Sequence, residues 1–165
     1  MNARHVDWII EQNSTAGSEF EGMIDVNNAV AMGYSVGGTG AVEIGGHEAI
    51  STVVSIHGHG AEGDLHGTLL LIGGTSDTMP DGLSWLAPTY EASQVETVFA
   101  LLEGADHGYI QGSVDGVQGG LETPVIIAWI RYWVYNDQGA GDYFFGDDCV
   151  LCSSPWSDLQ RKDGL

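Results

Sequence analysis

A chain of 165 residues is long enough for one domain with a buried core and too short for two of ordinary size, so we predict one domain over residues 1–165. Only 4 Lys and Arg oppose 23 Asp and Glu, and the formal net charge of −19 at pH 7 repels phosphate backbones and anionic lipids. We therefore expect no nucleic-acid partner and no membrane partner. Because 43% of the residues are hydrophobic, the acidity does not indicate a disordered segment.

The first predicted element is a helix at 4–12, which places Val6, Ile9 and Ile10 on its inward face. No signal-peptide pattern is visible at this end of the sequence. The first predicted strand follows only at 28–34, where the run NAVAMGY is nearly all apolar. Because no strand is predicted before it, one edge of this strand lacks a partner, and we expect homo-oligomerisation through that edge.

Three further apolar runs follow, at 52–57, 68–73 and 97–103. Nearly continuous apolar runs of this length are typical of strands buried on both faces of a parallel sheet. Helices are predicted between the strands, at 36–44, which is rich in small residues, and at 83–92. This alternation predicts an α/β fold with three layers, in which a mostly parallel sheet is flanked by helices.

The last predicted helix covers residues 125–135. Thr123 as the N-cap and Pro124 at the first helical position are typical signals for the start of a helix. The segment is apolar nearly all round, so we expect it to be buried.

The strongest local motif is Gly33-Tyr34-Ser35-Val36-Gly37, a G-x-S-x-G string where the first strand passes into a helix of small residues. A sharp strand-to-helix turn needs glycine on both sides of the serine, because a side chain there would clash with the strand or the helix. Such a turn lifts the Ser35 hydroxyl out of the carboxyl end of the sheet and aims the Val36 amide at the same space. The alternative is a glycine-rich nucleotide-binding turn in which Ser35 only caps the helix.

A serine hydroxyl needs a base to become a good nucleophile, and the base needs an acid to orient it. Asp77 follows the third predicted strand, and His107 follows the fourth. Because the carboxyl ends of parallel strands share one edge of the sheet, both side chains are predicted to converge on Ser35. Asp106 is a rival acid, but it is too close to His107 in sequence to lie beneath the imidazole.

The stretches GYSVGG, LLLIGGTSDT and LLEGADHGY resemble the nucleophile, acid and histidine motifs of the α/β-hydrolases. Within that fold the sequence is most similar to the dienelactone-hydrolase and cutinase-like branch that includes polyester (PET) hydrolases, and the likeness covers most of residues 4–162. The resemblance implies Ser35 as nucleophile, Asp77 as acid, His107 as general base and the Val36 amide as an oxyanion donor. It implies neither a cofactor nor a metal.

The function that this resemblance implies is a carboxylic-ester hydrolase that acts on short-chain and aromatic esters, including polyesters such as PET, through an acyl-enzyme. Family members carry further strands ahead of the first helix, and a loop among them supplies a second oxyanion amide. We therefore expect a truncated α/β-hydrolase core that lacks the N-terminal third. Because losing one oxyanion donor costs about 10²- to 10³-fold in rate, the alternative is a weak or inactive hydrolase remnant that serves as a binding or structural module.

Three histidines and an aspartate after the second predicted strand suggest a third hypothesis, a metal-dependent hydrolase; they are His57, His59, Asp64 and His66. Their spacing fits no zinc motif. The resemblance instead places this loop along the substrate cleft and makes His57 a substrate contact. The other predicted substrate contacts are Tyr34, Met79, Trp85 and Tyr109.

The C-terminal run AWIRYWVYNDQGAGDYFFGDDCVLC also resembles the polyester-hydrolase branch, which carries a terminal disulfide there. The resemblance implies a disulfide between Cys149 and Cys152. The other readings of C-x-x-C are a redox pair, which normally opens a helix early in a βαβ unit, and a four-thiolate zinc site, for which the chain has too few cysteines. A structural disulfide indicates an oxidising compartment, so we expect an extracellular protein.

Overall fold

The computed structural model describes residues 3–58, 64–79 and 82–163. These residues contain seven strands: β1 (Ala29–Tyr34), β2 (Ile50–Ile56), β3 (Thr68–Gly74), β4 (Thr97–Leu102), β5 (Ser113–Val114), β6 (Val117–Gln118) and β7 (Trp156–Lys162). Four helices accompany them: α1 (Arg4–Ser14), α2 (Val36–Ile44), α3 (Gly82–Ala92) and α4 (Glu122–Tyr135). Five strands form the main sheet in the spatial order β1-β2-β3-β4-β7, and β5 and β6 form a small separate hairpin.

The main sheet is mostly parallel, which confirms the predicted α/β fold. β1 to β4 run parallel to one another, whereas β7 pairs antiparallel with β4. β7 is absent from the predicted elements, because its sequence WSDLQRK alternates and leaves most of its residues exposed or half-buried. An edge strand of this kind carries no continuous apolar run.

Neighbouring residues of the central strands bury their side chains in two different hydrophobic cores, one on each face of the sheet. Val53 and Leu69 belong to one core, and Val54 and Leu70 belong to the other, and all four are fully buried. Trp129 of α4 completes the second core, and its indole N–H donates a 2.7 Å hydrogen bond to the Thr52 hydroxyl. The apolar runs are therefore buried on both faces, as predicted for strands in the middle layer.

The start of α4 corrects the prediction that Thr123 is its N-cap. The helix begins at Glu122, two residues before the predicted first helical position Pro124, and its N-cap is Leu121. The Thr123 hydroxyl instead donates a 2.6 Å hydrogen bond to the Gln118 carbonyl. The prediction that this helix is buried on all sides is also wrong, since Ile127 is 51% exposed and Tyr135 is 75% exposed. One side of an amphipathic or apolar helix is enough to cover a sheet, so the opposite side stays in solvent.

α1 begins at Arg4 as predicted, and Val6, Ile9 and Ile10 are its half-buried apolar residues. Val6 packs against the core that contains Val53. In the described part of the chain, β1 pairs with β2 alone and therefore lies at an edge of the sheet. None of the described helices is long and apolar enough to cross a lipid bilayer.

A disulfide joins Cys149 to Cys152, as the resemblance implies. It brackets the short 3₁₀ helix Val150–Cys152 that precedes β7. Arg161 of β7 points a guanidinium nitrogen at both sulfurs, at 3.2 Å from Cys149 Sγ and 2.8 Å from Cys152 Sγ. The disulfide thus contacts the strand that closes the far edge of the sheet.

Candidate functional site

Ser35 occupies the turn between the last residue of β1 and the first residue of α2. Its backbone has φ 56° and ψ −125°, a conformation that non-glycine residues rarely adopt and that costs about 1–3 kcal/mol. The turn is held from both sides, because the Ser35 amide donates 2.9 Å to the Ile56 carbonyl and the Ser35 carbonyl accepts from the Gly38 amide at 2.9 Å. The strained turn therefore belongs to the closely packed end of the sheet.

The glycine requirement at this turn differs from the predicted one. A Cβ on Gly33 would collide with the backbone of Gly37, so glycine is needed before the serine. A Cβ on Gly37 itself would meet no atom within 4 Å, whereas a Cβ on Gly38 would lie 2.7 Å from Ser55 Oγ. The prediction that Gly37 avoids a clash is wrong, and the close approach that excludes a side chain occurs one residue later.

The three side chains predicted to converge do so in one chain of hydrogen bonds. Ser35 Oγ lies 2.9 Å from His107 Nε2, and His107 Nδ1 lies 2.9 Å from Asp77 Oδ2. These residues follow β1, β4 and β3, so the shared carboxyl edge of the parallel strands brings them together. The geometry fits an imidazole whose Nδ1–H donates to the carboxylate and whose Nε2 accepts from the serine hydroxyl.

Asp77 is buried, with no exposed side-chain area, and its carboxylate is held by three donors. The Met79 amide donates 2.9 Å to Oδ1, while imidazole nitrogens of His107 and His57 lie 2.9 Å and 2.7 Å from Oδ2. Burial alone would raise the pKa of Asp77, but these hydrogen bonds outweigh it and hold the pKa below its ordinary value of 3.8. The carboxylate is therefore ionised at neutral pH.

Asp106, the rival acid, does not contact the His107 imidazole. Its carboxylate accepts a 2.9 Å hydrogen bond from the Gly108 amide and is exposed. This is a local turn interaction of the kind that aspartate side chains make two residues along the chain. The acid that contacts His107 in this structure is Asp77.

Tyr34 lies against the same histidine. Its hydroxyl donates a 2.6 Å hydrogen bond to the backbone carbonyl of His107, and the two rings are 5.1 Å apart between centroids. The hydroxyl predicted to contact substrate is thus engaged with the loop that carries the imidazole, while its half-buried ring remains available as a wall.

Val36 is the first residue of α2 and its side chain is 69% exposed. The first amides of a helix have no carbonyl partner within the helix, so the Val36 N–H is one of the donors that a helix leaves unpaired at its start. It stands directly beside the strained serine, in the place where an oxyanion donor is expected.

His57 is not the substrate contact that the resemblance implies. Its imidazole has no exposed area, so no substrate reaches it without a change of structure. Nδ1 lies 2.7 Å from Asp77 Oδ2, and Nε2 lies 2.7 Å from Glu122 Oε1. The ring therefore bridges two buried carboxyl groups beneath the site.

Burial and the neighbouring groups shift the pKa values of His57 and Glu122 in opposite directions. Burial lowers the pKa of His57, but the hydrogen bonds and negative charges of Glu122 and Asp77 outweigh it and leave the pKa above its ordinary value of 6.5. Burial raises the pKa of Glu122 above its ordinary value of 4.5, against the opposing effect of His57. Both groups hold protons more firmly than they would in water.

Glu122 is the site residue that the sequence analysis misses. It is the one acid in the first turn of an apolar helix, where acids commonly complement the helix dipole. This common role gives no reason to expect a buried acid from the sequence. A fully buried acid is rare without a partner, so predicted burial of this turn would have been the signal to look for one.

The remaining predicted substrate contacts follow Asp77 and His107 along the chain. Met79 is 71% exposed and Trp85 at the start of α3 is 42% exposed. Tyr109 is half-buried, and its hydroxyl accepts a 3.3 Å hydrogen bond from the Leu121 amide. Met79 and Trp85 therefore offer apolar surface, whereas the Tyr109 hydroxyl is already engaged.

Ligand atoms of His57, Asp77 and His107 lie within 4.8 Å of one another, a spacing at which three such groups can share a metal ion. The short Nδ1 to Oδ2 distances fit imidazole N–H donors, which could not at the same time offer lone pairs to an ion. His66 of the predicted metal cluster lies elsewhere, with Nδ1 3.4 Å from the Ile50 carbonyl at the other end of β2, and His59 is outside the described residues. The observed donor set thus favours hydrogen bonding over metal ligation.

Residues 1–159 match the model of a family described as PET hydrolase-like. No curated protein matches the chain. The family match supports hydrolase activity and agrees with the parallel sheet and flanking helices described above.

Proposed function

Because the chain belongs to the PET hydrolase-like family, we propose that it is a carboxylic-ester hydrolase that works through Ser35, His107 and Asp77 and an acyl-enzyme. The observation that carries this proposal is the unbroken chain of hydrogen bonds from Ser35 Oγ through the His107 ring to Asp77 Oδ2. Nucleophile, base and orienting acid are in contact in the order that the chemistry requires.

In the first half of the reaction, His107 Nε2 takes the hydroxyl proton as Ser35 Oγ attacks the ester carbonyl. The new C–O bond converts the carbonyl oxygen into an oxyanion, to which the Val36 N–H donates. The intermediate then collapses, the bond to the leaving alcohol breaks, and the imidazolium of His107 returns the proton to that alcohol. The acyl group remains on Ser35.

Water repeats the sequence in the second half. His107 takes a proton from the water as its oxygen attacks the acyl carbon, and it then protonates Ser35 Oγ as the carboxylic acid leaves. Asp77 stays ionised throughout, holds the Nδ1–H tautomer and stabilises the imidazolium that forms twice in each turnover. The depressed pKa of the buried Asp77 suits this role.

Short-chain and aromatic esters, with polyesters such as PET among them, are the substrate class that we propose. Its support is the family match together with the exposed apolar side chains of Met79 and Trp85 near the acid loop and the Tyr34 ring beside His107. Large exposed apolar side chains around polar reacting groups suit an acyl or aromatic moiety. Release of soluble aromatic acid from amorphous PET film tests the polymer part of the proposal.

The experiment that tests the mechanism compares wild type, Ser35→Ala and Ser14→Ala, the last as an exposed serine on α1. A fluorophosphonate probe and a chromogenic short-chain ester report activation of the serine and turnover. We expect Ser35→Ala to lose labelling and at least about 10³-fold in kcat, with wild-type behaviour of Ser14→Ala and an unchanged circular dichroism spectrum. Undiminished turnover by Ser35→Ala refutes the proposal, and a folded wild type that neither labels nor turns over favours the binding-module alternative.

Location and association are part of the same proposal. We propose an extracellular protein, because the Cys149–Cys152 disulfide suits an oxidising compartment, and homo-oligomerisation through the edge of β1. The net charge of −19 argues against nucleic acid as a partner. Light scattering over a range of concentrations tests the association, and a monomer at every concentration contradicts it.

A further inference from the structure

His57 and Glu122 form a buried polar pair for which the mechanism above has no use. Neither side chain has any exposed area, and the only polar contact of the pair with the reacting groups is the 2.7 Å hydrogen bond from His57 to Asp77. Burying an imidazole and a carboxyl together is costly unless they are hydrogen-bonded to partners that need them. The contact with Asp77 therefore indicates that any role of this pair in the reaction acts through the Asp77 carboxylate.

The hydrogen-bond distances fix where protons lie in this pair. Asp77 is ionised, so the 2.7 Å contact at its Oδ2 requires a proton on His57 Nδ1. The 2.7 Å contact between His57 Nε2 and Glu122 Oε1 requires one more proton, on either atom. The two groups together are then electrically neutral, and Asp77 keeps the single negative charge beneath His107.

Two further observations favour retention of that shared proton. Burial raises the pKa of Glu122, and the carboxyl groups around His57 raise the pKa of the imidazole. Glu122 Oε2 is buried and has no hydrogen-bond partner among the described residues, which penalises a fully charged carboxylate. The pair is thus a neutral, proton-bearing unit packed under the site.

We propose that His57 and Glu122 are positioning residues that fix the Asp77 carboxylate and set how strongly it holds the His107 imidazole, which extends the hydrogen-bonded chain from three residues to five. This inference rests on the proposed function. Met79 holds one oxygen of the carboxylate, and the two imidazoles share the other, so the carboxylate has no freedom to rotate. Glu122 holds the His57 ring in the orientation that allows this.

Loss of the hydrogen bond from His57 to Asp77 is expected to change the pH dependence of activity in one direction. The titratable groups that face His57 are Asp77, Glu122, His107 at 5.8 Å and Tyr34 at 6.2 Å between ring centroids. When the His57 donor is removed, Asp77 Oδ2 accepts from His107 alone and becomes a stronger acceptor, which favours the imidazolium form. The acid limb of the kcat/KM profile, which reports deprotonation of the free enzyme's base, then moves to higher pH.

Two double variants separate the two ends of the His57 ring. In His57→Asn/Glu122→Gln the shorter amide stands near the former Nδ1 and can still donate to Asp77, whereas in His57→Gln/Glu122→Gln the longer amide reaches the former Nε2 position instead. The Glu122→Gln change removes the buried acid from both, and Glu122→Gln alone is the reference. We expect the Asn variant to stay within about threefold of the reference, and the Gln variant to lose about tenfold or more in kcat with little change in KM and with a raised acid limb.

Thermal unfolding of all three variants controls for a purely structural role. If the Asn and Gln variants lose stability equally and activity equally, with unchanged acid limbs, His57 only fills space and the proposal is wrong. Equal stability with unequal kcat and a shifted limb supports it. Where neither double variant folds, the Glu122→Gln single variant is compared with wild type by the same pH profile, and identical profiles overturn the proposal.

A measurement without turnover distinguishes failure of this inference from failure of the proposed function. In Ser35→Ala labelled with ¹⁵N-histidine, the nitrogen shifts report which ring nitrogen of His57 carries a proton. We expect Nδ1–H throughout the range from about pH 5 to pH 8, whatever the enzyme hydrolyses. A neutral His57 protonated only at Nε2 overturns the inference even in an active enzyme, and silence of the wild type toward esters and the probe overturns the proposed function alone.

Discussion

The hydroxyl of Tyr34 donates a 2.6 Å hydrogen bond to the backbone carbonyl of His107, 73 residues further along the chain. Tyr34 ends β1, immediately before Ser35, and His107 lies in the loop after β4. One hydrogen bond therefore ties the loop that carries the base to the strand that carries the nucleophile. The distance between Ser35 Oγ and His107 Nε2 depends on both supports.

Tyr34→Phe keeps the ring and removes this tie. We expect a loss of about 1 kcal/mol in the free energy of unfolding, because the His107 carbonyl loses a half-buried donor, and a drop in kcat larger than any change in KM. Urea unfolding and steady-state kinetics measure the two effects. Tyr135→Phe, at a side chain that is 75% exposed, is the matched control. Equal behaviour of the two variants would show that the Tyr34 hydroxyl supports nothing.

Asp77→Asn and Asp106→Asn discriminate between the two candidate acids. Asparagine at position 77 offers an amide where two imidazoles now donate, which disfavours the productive His107 tautomer, so we expect kcat to fall by about 10³- to 10⁴-fold. Asp106→Asn removes only a turn contact with the Gly108 amide and is expected to stay within about threefold of wild type. A larger loss at Asp106 than at Asp77, in folded proteins, contradicts the assignment of the acid.

Gly37→Ala and Gly38→Ala are neighbouring substitutions with opposite expected outcomes. A Cβ at Gly37 meets open space, so we expect alanine there to leave stability unchanged or to raise it by up to about 1 kcal/mol through helix propensity. A Cβ at Gly38 lies 2.7 Å from Ser55 Oγ and 3.1 Å from the Gly58 Cα, and we expect a loss of about 1–3 kcal/mol. Chemical denaturation measures both, and a Gly38→Ala protein as stable as wild type would count against the packing described here.

The pH dependence of stability follows from the buried bridge. The folded pKa of His57 is raised above 6.5, so its contribution to stability is complete below that value and is lost as pH rises through the raised folded pKa. Glu122, with a pKa raised above 4.5, changes stability in the same sense, because the folded state holds its proton longer than the unfolded state. Wild type is therefore expected to lose stability as pH rises, through Glu122 above about pH 4.5 and through His57 above about pH 6.5.

Glu122→Gln removes the partner that raises the pKa of His57 most, together with the Glu122 carboxyl itself, so its unfolding temperature should fall less steeply as pH rises over this range. Parallel curves for wild type and Glu122→Gln would contradict this coupling. At the acid end, the depressed pKa of Asp77 stabilises the fold above its ordinary value of 3.8, and that contribution is lost as pH falls through the lower folded pKa in both proteins. Below about pH 3.8, where Glu122 is protonated in both the folded and the unfolded state, the two stability curves should therefore fall in parallel.

The parts of this fold that could be predicted are those whose signal lies in a run of consecutive residues. The runs that form β2 and β3 are mostly apolar, because their apolar residues pack into one core or the other. The glycines that the turn at Ser35 needs lie beside it in the sequence. β7 could not be found in the same way, since an edge strand needs only a few inward residues such as Trp156. Local pattern predicts the middle of the sheet better than its borders.

The bridge of His57 and Glu122 was beyond prediction for a different reason. The two residues are 65 positions apart, and each has an ordinary local explanation, a glycine-rich loop for one and the start of a helix for the other. Their pairing follows from the packing of α4 onto the sheet, which brings the first turn of that helix under the end of β2. Sequence spacing carries no trace of such a contact, whereas the shared strand edge explains why Ser35, Asp77 and His107 were predictable as a group.

The position of β1 has a consequence for how activity would fail. Asp77 and His107 follow inner strands of the sheet. Ser35 follows β1, which in the described part of the chain is hydrogen-bonded to the sheet along one side only. Fraying of that border would withdraw the hydroxyl while leaving the imidazole and the carboxylate in place. Reactivity of Ser35 toward a phosphonate would then vanish before bulk unfolding is visible, which makes the probe a sensor of a single strand's attachment.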